Sequence, residues 1–291
     1  MTAPPPSVAF LGLGLMGAPM AARVAAAGLP LAIWNRSLDK AAALAGPAMR
    51  AASAPADAAA GADIIALCLL DAAAVEQVLF APDGALAGAG PDALIVDFST
   101  IGVAATRDLA ARAGRAWVDA PVSGGVAGAM AGSLTIFCGG DAADIGRARP
   151  LLDAVAAHVT AMGALGAGQA TKLCNQIIVA NTLLALAEAV AAGHALGLDV
   201  SRLPGALAGG FADSPPLRQF GAAMVSDAEP TPRGRIATMA KDVEAAAEAL
   251  AGTDMPLLSA ARTLYRQALA LGLGPADLAR LPRLYAKTGE D

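Results

Sequence analysis

The sequence predicts an α/β fold, in which a doubly wound parallel sheet is followed by an all-α C-terminal domain. Up to about Gly163, short apolar segments alternate with Ala-rich helical stretches, which is typical of a parallel sheet with helices on both faces. From Gln169 onward, Ala- and Leu-rich stretches punctuated by prolines replace the strand pattern. We therefore place an N-terminal domain at residues 1–164 and a helical domain at residues 165–291.

Seven apolar segments are the predicted strands. Residues 64–70 form a continuous apolar run, as expected for a strand buried on both faces. The run from Ala93 to Phe98 is interrupted only by Asp97. The seven candidates are Val8–Leu11, Leu31–Trp34, Ile64–Leu70, Ala93–Phe98, Ala116–Ala120, Leu134–Cys138 and His158–Met162.

Four helical stretches follow, and the first is long enough to connect the two domains. Its most apolar part, Ile177–Ala192, contains Asn181 and Glu188 and is shorter than the roughly 20 residues of a membrane span. We therefore interpret it as a buried core helix. The four stretches are Ala170–Leu196, Ser201–Leu207, Met239–Leu250 and Leu257–Ala270.

Composition excludes several classes of partner. The net charge of −5 and the absence of a basic run argue against nucleic acid and anionic membranes. The N-terminal segment lacks the basic and apolar regions of a signal peptide. Cys68, Cys138 and Cys174 form neither a disulfide framework nor a CxxC pair, so we expect them to pack in the core of a cytoplasmic protein.

A glycine-rich loop follows the first predicted strand. Gly12, Gly14 and Gly17 have the spacing G-x-G-x-x-G, and Leu13, Leu15 and Met16 complete the loop. In a Rossmann-type fold such glycines permit a tight turn, close approach of a pyrophosphate, and close packing of helix on strand. The N–H groups at the start of the next helix attract phosphate. Because a strand precedes the loop and a helix follows it, we predict a dinucleotide site here.

The end of the second strand favours NADP over NAD. An NAD enzyme usually carries Asp or Glu at this point to bind the ribose 2′-hydroxyl, but this chain has Asn35, Arg36 and Ser37. Arg36 can pair with a 2′-phosphate, and its neighbours can donate hydrogen bonds to it. NAD stays possible because Asp39 is close enough in sequence to reach the ribose.

Two further segments carry a family resemblance. One runs from Asp119 to Ala129 (DAPVSGGVAGA), and the other from Gly166 to Gln176 (GAGQATKLCNQ). Together with the loop from Gly12 to Met20, they resemble the β-hydroxyacid dehydrogenase family. That family includes 3-hydroxyisobutyrate dehydrogenase, tartronate semialdehyde reductase and the glyoxylate/succinic semialdehyde reductases. The resemblance covers nearly the whole chain.

The first of these segments is a candidate carboxylate site, and the second holds a candidate acid/base. Ser123, Gly124 and Gly125 combine a hydroxyl with backbone N–H groups, a combination that binds carboxylates; the resemblance implies that they hold the substrate. Lys172 is one of only four lysines and lies near the start of an apolar helix. Burial there would lower its pKa toward neutrality, and the resemblance makes Lys172 the general acid/base.

The resemblance also implies roles for residues around these two segments. Asn175 or Gln176, one turn beyond Lys172, supports the lysine or the substrate; many family members have two Asn here. Gly234 stands where family members commonly have an aromatic, a departure that enlarges the substrate pocket or alters its lid. The residues that the resemblance places on the cofactor are Leu69, Leu70, Thr100 and Lys241.

We therefore expect an NADP(H)-dependent oxidoreductase that interconverts a short β-hydroxy acid and its semialdehyde, or acts on a small aldehyde or keto acid such as glyoxylate. The substrate carries a carboxylate, and the resemblance implies a homodimer or homotetramer. His158 and His194, with the scattered cysteines, form no metal constellation. The alternatives are an imine reductase-like NADP enzyme, which generally lacks a lysine at position 172, and a non-catalytic NADP-binding protein.

Overall fold

The computed structural model describes residues 4–226, 228–229 and 233–285. The chain divides into two compact units, of which the first ends at Lys172 and the second begins at Leu173. The first unit contains a sheet and its flanking helices, whereas the regular structure described in the second is helical. Each unit is therefore described by itself.

Nine described strands form the sheet of the first unit. They are β1 Val8–Leu11, β2 Leu31–Trp34, β3 Arg50–Ala51, β4 Ile64–Leu67, β5 Leu94–Asp97, β6 Trp117–Asp119, β7 Val122–Ser123, β8 Leu134–Gly139 and β9 Ala156–Gly163. Their order is β3-β2-β1-β4-β5-β6-β8-β7, and β9 pairs with β8. All seven predicted strands are present; the sequence missed β3 and β7, which are too short to show periodicity.

The sheet is mostly but not entirely parallel. Adjacent strands from β3 to β6 are parallel, which confirms the doubly wound core. The exception is β8, which is antiparallel to both β6 and β7. Only residues 124–133 separate β7 from β8, fewer than the dozen or so that a parallel crossover requires.

Helices cover both faces of this sheet, as predicted. The side chains of β1 alternate between the two faces, and all four are buried. Val8 and Phe10 pack in the core on one face, and Ala9 and Leu11 pack in the core on the other. The helices are α1 Gly17–Ala26, α2 Leu38–Leu44, α3 Pro55–Ala59, α4 Ala72–Phe80, α5 Ala85–Gly88, α6 Val103–Ala113, α7 Gly125–Ala131 and α8 Ala142–Val155.

The second unit is built from helices around one core. α9 Ala167–Ala195 begins in the first unit and continues into the second. The others are α10 Leu203–Leu207, α11 Pro215–Met224, α12 Ile236–Ala249, α13 Pro256–Ala270 and the 3₁₀ helices Val200–Arg202 and Leu278–Tyr285. The sequence missed α11 because Pro215 and Pro216 resemble a helix breaker. Both prolines occupy the first turn, where no N–H is needed, and the Ser214 hydroxyl accepts a hydrogen bond from the Leu217 N–H.

Helix α9 differs from its prediction in length and burial. It has 29 residues and is, within the described residues, the one helix long and apolar enough to cross a membrane by length and composition alone; 33% of its most apolar window is buried. Leu183 and Ala187 are fully buried in the helical core, but Ile178 is 68% exposed. The argument that the stretch is too short to span a membrane is therefore wrong, and its predicted burial holds for one face only.

A buried acid lies at the end of β5. Asp97 has no exposed surface, and its Oδ1 accepts a hydrogen bond from the Ser99 N–H at 2.9 Å. Its Oδ2 has no hydrogen-bond partner among the described residues. Burial raises the pKa of Asp97 to about 7, although the hydrogen bonds from Ser99 oppose the rise.

Replacing Asp97 tests this assignment through the pH dependence of stability. Because the pKa of Asp97 is 3.8 when unfolded and about 7 when folded, the folded state binds more protons between these values. Its stabilisation is full below about pH 4 and is lost as the pH rises through about 7. Asp97→Asn removes that dependence, which amounts to about 4 kcal/mol. Urea unfolding across this range measures it, with the exposed Asp83→Asn as control. Parallel curves for Asp97→Asn and the wild type would contradict the prediction.

Candidate active site

The glycine-rich loop forms the turn between β1 and α1. Gly12 has φ +106°, and its N–H donates to the Trp34 carbonyl at 2.9 Å. A Cβ on Gly12 would lie 2.4 Å from the Cys68 carbonyl oxygen, and one on Gly17 only 1.9 Å from the Gly12 oxygen. Gly14 is exposed, with no atom within 4 Å of its Cβ position. Two glycines thus shape the turn, while the third leaves its backbone open to a ligand.

This turn fits the diphosphate of a dinucleotide. α1 begins at Gly17 and has ten residues, and the first N–H groups of a helix lack acceptors within the helix. Together with the helix dipole they favour a phosphate at this end. Leu15, which the sequence assigns to the cofactor, is 52% exposed beside it.

Asn35 connects the glycine-rich loop to the end of β2. Its Oδ1 accepts a hydrogen bond from the Leu13 N–H at 3.0 Å, and its Nδ2 donates to the Ser37 carbonyl at 3.2 Å. The Asn35 amide therefore braces the loop, a use that the sequence did not predict. Arg36 is exposed next to it, and Asp39 lies in the first turn of α2.

The predicted cofactor residues after β4 and β5 lie on adjacent connections. The Leu69 N–H donates to the Ser99 hydroxyl oxygen at 2.9 Å, which ties the two connections together. Leu70 is 63% exposed, and Thr100 follows Ser99. In doubly wound sheets, ligands bind beyond these carboxyl ends of the strands. The structure thus places Leu69 beside Ser99, which immediately precedes Thr100.

The candidate carboxylate segment passes from β7 into α7. Ser123 ends β7, and α7 begins at Gly125. Gly124 and Gly125 have φ values of +126° and +63°, which other residues rarely adopt. Backbone N–H groups at such a turn, next to a hydroxyl, are suited to a carboxylate.

Lys172 lies beside this segment. It is only 8% exposed, and its Nζ donates a hydrogen bond to the Val122 carbonyl at 2.8 Å. Val122 immediately precedes Ser123, so the ammonium group of Lys172 is held next to the candidate carboxylate site. The candidate acid/base and the candidate carboxylate site are therefore neighbours within the first unit.

Asp119 is a candidate site residue whose role the sequence did not reveal. It is fully buried at the end of β6, and its two oxygens accept hydrogen bonds from the Gly166 N–H at 2.7 Å and the Gln169 N–H at 2.8 Å. The Gly168 N–H also donates to it. Burial raises the pKa of Asp119, and these hydrogen bonds oppose the rise. The one indication in the sequence was a charged residue at the end of an apolar strand, which suggests a buried carboxylate with specific partners.

Gln169 is the second residue missed from the sequence. Its Nε2 donates to the Ser99 carbonyl at 2.7 Å, and its Oε1 accepts from the N–H groups of Ile101 at 3.2 Å and Gly102 at 3.3 Å. The side chain has no exposed surface. The Gln169 side chain therefore ties the start of α9 to the loop between β5 and α6, which contains Thr100.

A polar chain runs through the candidate residues of the second unit. The Asn175 Nδ2 donates to the Gln176 Oε1 at 2.9 Å, and the Gln176 Nε2 donates to the Asp242 Oδ2 at 2.6 Å. The other Asp242 oxygen lies 3.0 Å from the Lys241 Nζ. Gln176 and Asp242 are buried. Both ends of the Gln176 amide are therefore engaged, and Asp242 links Gln176 to Lys241.

Gly234, the departure from the family pattern, is closely covered. A Cβ at this position would lie 2.9 Å from Leu278 Cδ1, and the Gly234 N–H donates to the Asp277 Oδ2 at 3.0 Å. The Leu278 side chain thus lies next to the Cβ position of Gly234, and a larger pocket or an altered lid stays a prediction.

The cysteines and histidines differ partly from expectation. Cys138 is buried as predicted, but Cys174 is exposed on α9 and Cys68 is partly exposed just after β4. Core packing is therefore the wrong interpretation for Cys174. His158 and His194 are exposed, and no group of three potential metal ligands occurs among the described residues.

Comparison with known proteins agrees with this geometry. Residues 7–163 match the NAD binding domain of 6-phosphogluconate dehydrogenase, and residues 166–285 match the NAD-binding domain of NADP-dependent 3-hydroxyisobutyrate dehydrogenase. The chain is 36% identical to the NAD-dependent L-serine dehydrogenase of Pseudomonas aeruginosa, over 97% of this chain and 98% of that relative. It is 35% identical to the 2-hydroxy-3-oxopropionate reductase of Escherichia coli, over 92% and 93% of the two chains.

A solved structure extends the likeness to three dimensions. The 3-hydroxyisobutyrate dehydrogenase of Mycobacterium tuberculosis with L-serine superimposes with a TM-score of 0.82 at 33% identity, over 96% of this chain and 99% of that one. The sheet order, the glycine-rich loop and both family matches thus agree along most of the sequence. The chain belongs to the NAD(P)-dependent β-hydroxyacid dehydrogenase family.

Proposed function

We propose that this protein is an NADP(H)-dependent oxidoreductase that interconverts a short β-hydroxy acid and its semialdehyde, or a small aldehyde or keto acid such as glyoxylate or succinic semialdehyde. The contact between the Lys172 Nζ and the Val122 carbonyl carries this proposal. It holds a proton donor beside a segment suited to a carboxylate, as reduction of a carboxylate-bearing aldehyde requires.

Each candidate site residue of the first unit then has a chemical role. The Ser123 hydroxyl and the N–H groups of Gly124 and Gly125 bind the substrate carboxylate. The Lys172 ammonium faces the carbonyl oxygen, stabilises the negative charge that develops there, and donates the proton. In the oxidative direction the neutral Lys172 amine accepts that proton. The glycine-rich loop would hold the cofactor diphosphate and Thr100 would lie near the nicotinamide, which would supply or accept the hydride.

Between the two candidate amides, we assign the substrate-side role to Asn175. Both ends of the Gln176 amide are engaged within the second unit, with Asn175 and with Asp242. Gln176 therefore orients Asn175, and Asp242 holds the Lys241 ammonium in an ion pair.

The named relatives support a β-hydroxy acid. L-serine, 3-hydroxyisobutyrate and 2-hydroxy-3-oxopropionate occur in their names. All three carry a carboxylate and an oxygen on the third carbon. A site that fixes the carboxylate and places a lysine at that oxygen accounts for all of them.

Arg36 supports NADP as the preferred cofactor. None of Asn35, Arg36 and Ser37 is acidic, and Arg36 is exposed where a 2′-phosphate would need a cation. The family includes both an NAD-dependent relative and an NADP-dependent domain description, so preference is set locally rather than by family membership.

We further propose a cytoplasmic homodimer or homotetramer. Only 33% of the most apolar window of α9 is buried in the single chain, and Ile178 is 68% exposed on that helix. A second copy of the chain would cover this apolar surface. The three cysteines are free thiols, as is usual in a reducing compartment.

Substitution of Lys172 tests the mechanism. Lys172→Met keeps the length of the side chain but removes the proton donor, so kcat should fall by about 10²- to 10⁴-fold. Lys172→Arg keeps a positive charge that does not titrate near neutrality, so it should restore little activity. NADPH fluorescence titration should show cofactor binding close to that of the wild type. Turnover by Lys172→Met at the wild-type rate would refute the mechanism.

A matched set of aldehydes tests the substrate class. NADPH oxidation should be fastest with tartronate semialdehyde, methylmalonate semialdehyde, succinic semialdehyde or glyoxylate, because each carries a carboxylate for the Ser123–Gly125 segment. The corresponding amides should react at least about 10²-fold more slowly, since they lack that charge. Preferential reduction of cyclic imines would instead support an imine reductase, and NADPH binding without turnover would support a non-catalytic protein.

Arg36→Asp tests the cofactor assignment. A carboxylate repels the 2′-phosphate and can bind the ribose hydroxyls, so the ratio of kcat/KM for NADPH to that for NADH should fall by about 10²-fold or more. Arg149→Asp makes the same change of charge on an exposed residue of α8, and should leave the ratio unchanged. An unchanged ratio in Arg36→Asp would show that the preference is set elsewhere.

A further inference from the structure

The start of α9 is fixed to the sheet by a buried polar cluster. Asp119 accepts hydrogen bonds from the backbone N–H groups of Gly166, Gly168 and Gln169. These are among the N–H groups that a helix cannot satisfy internally, and a carboxylate at a helix N-terminus is also favoured by the helix dipole. Lys172 follows only three residues after Gln169.

The glycines of this segment make the close approach possible. A Cβ on Gly168 would lie 2.3 Å from the Phe137 carbonyl oxygen and 2.8 Å from Asp119 Oδ2. A Cβ on Gly139, in the facing strand β8, would lie 2.4 Å from Asp119 Oδ1. Larger residues at either position would push the helix away from the carboxylate. Glycine at positions 139 and 168 is therefore required by the Asp119 contact.

The same short stretch of chain also contacts the lysine itself. Asp119 and Val122 are three residues apart; the first binds the start of α9, and the second accepts the hydrogen bond from the Lys172 Nζ. The backbone at the start of α9 and the end of the Lys172 side chain are thus both held by the stretch of chain that leads into Ser123.

Gln169 holds the start of α9 through a second set of hydrogen bonds. Its side-chain amide binds the Ser99 carbonyl and the N–H groups of Ile101 and Gly102. These flank Thr100, the residue proposed to lie near the nicotinamide. Gln169 therefore joins the helix of Lys172 to the cofactor side of the first unit.

We propose that Asp119 and Gln169 are positioning residues, which together hold the Lys172 ammonium in register with the carboxylate segment and the Thr100 connection. The proposal rests on the proposed role of Lys172. Neither side chain contacts substrate or cofactor in it; each acts by fixing the first turn of α9. A small displacement of a catalytic group costs much of its rate advantage, so loss of either residue should lower turnover more than cofactor binding.

The test compares Asp119→Asn, Gln169→Leu and Gln169→Glu with Asp277→Asn. Asp277 is a matched control in the second unit, because it is buried and accepts hydrogen bonds from the N–H groups of Arg233, Gly234 and Ala279. Asp119→Asn and Gln169→Leu should lower kcat by about 10- to 100-fold, with NADPH affinity within about twofold of wild type. Asp277→Asn should lower the melting temperature without that loss of kcat.

Gln169→Glu provides a readout that a purely structural role would not give. The ionised carboxylate cannot donate to the Ser99 carbonyl, whereas the protonated acid can. Its kcat relative to wild type should therefore rise as the pH falls, and Gln169→Leu should show no such recovery.

Lysine labelling gives a readout that is independent of turnover. The sequence has only four lysines, so the reaction of Lys172 with trinitrobenzenesulfonate can be followed by peptide mass spectrometry against the exposed Lys40. Asp119→Asn and Gln169→Leu should change the relative labelling rate of Lys172 by about fivefold or more, since its burial depends on the position of α9.

The outcomes separate this inference from the proposed function. Wild-type kcat, pH profile and Lys172 labelling in all three site variants would overturn the positioning role. If Lys172→Met instead keeps wild-type turnover, the proposed function fails, while the labelling rates still decide whether Asp119 and Gln169 hold the lysine in place.

Discussion

The hydrogen bonds between the Asp119 carboxylate and the first turn of α9 set the geometry of the chemical half of the site. Removing a carboxylate from water is costly, as the raised pKa of Asp119 reflects. Three backbone N–H groups at a helix N-terminus offset that cost, because they need an acceptor and carry a favourable dipole. Once this contact forms, the first turn of α9 is held in place, and the Lys172 Nζ donates to the carbonyl of Val122.

The parallel register explains why these groups converge. Pairing aligns Trp34, Leu11, Leu67, Asp97 and Asp119 in one row across β2, β1, β4, β5 and β6. The residues after that row therefore leave the sheet at one edge, where the glycine-rich loop, the Leu69 and Thr100 connections and the Ser123 segment all begin. The antiparallel β8 then returns the chain beside β6, and Gly139 gives the Asp119 carboxylate the space it needs.

The sequence predicts the parts of this arrangement that are encoded locally. Apolar runs, continuous in β1 and β4 and ended by Asp97 in β5, predict these strands, and the glycine spacing predicts the cofactor turn, because hydrophobic patterning and backbone freedom are properties of short segments. The roles of Asp119 and Gln169 are not local: each binds groups about 50 to 70 residues away in the chain. Likewise α11 could not be predicted, because a proline in the first turn of a helix cannot be distinguished in sequence from a proline in a loop.

Gln176 shows how a departure from the family pattern is accommodated within the second unit. The extra methylene of Gln relative to Asn lengthens the side chain, and its amide reaches the Asp242 carboxylate on α12 at 2.6 Å. Because a buried carboxylate is costly without partners, the Gln176 hydrogen bond to one Asp242 oxygen and the ion pair of Lys241 with the other both stabilise Asp242. The Gln176 oxygen meanwhile accepts a hydrogen bond from Asn175. The exchange therefore changes the support of Asn175 and Lys241 rather than the groups that the proposed mechanism presents to substrate and cofactor.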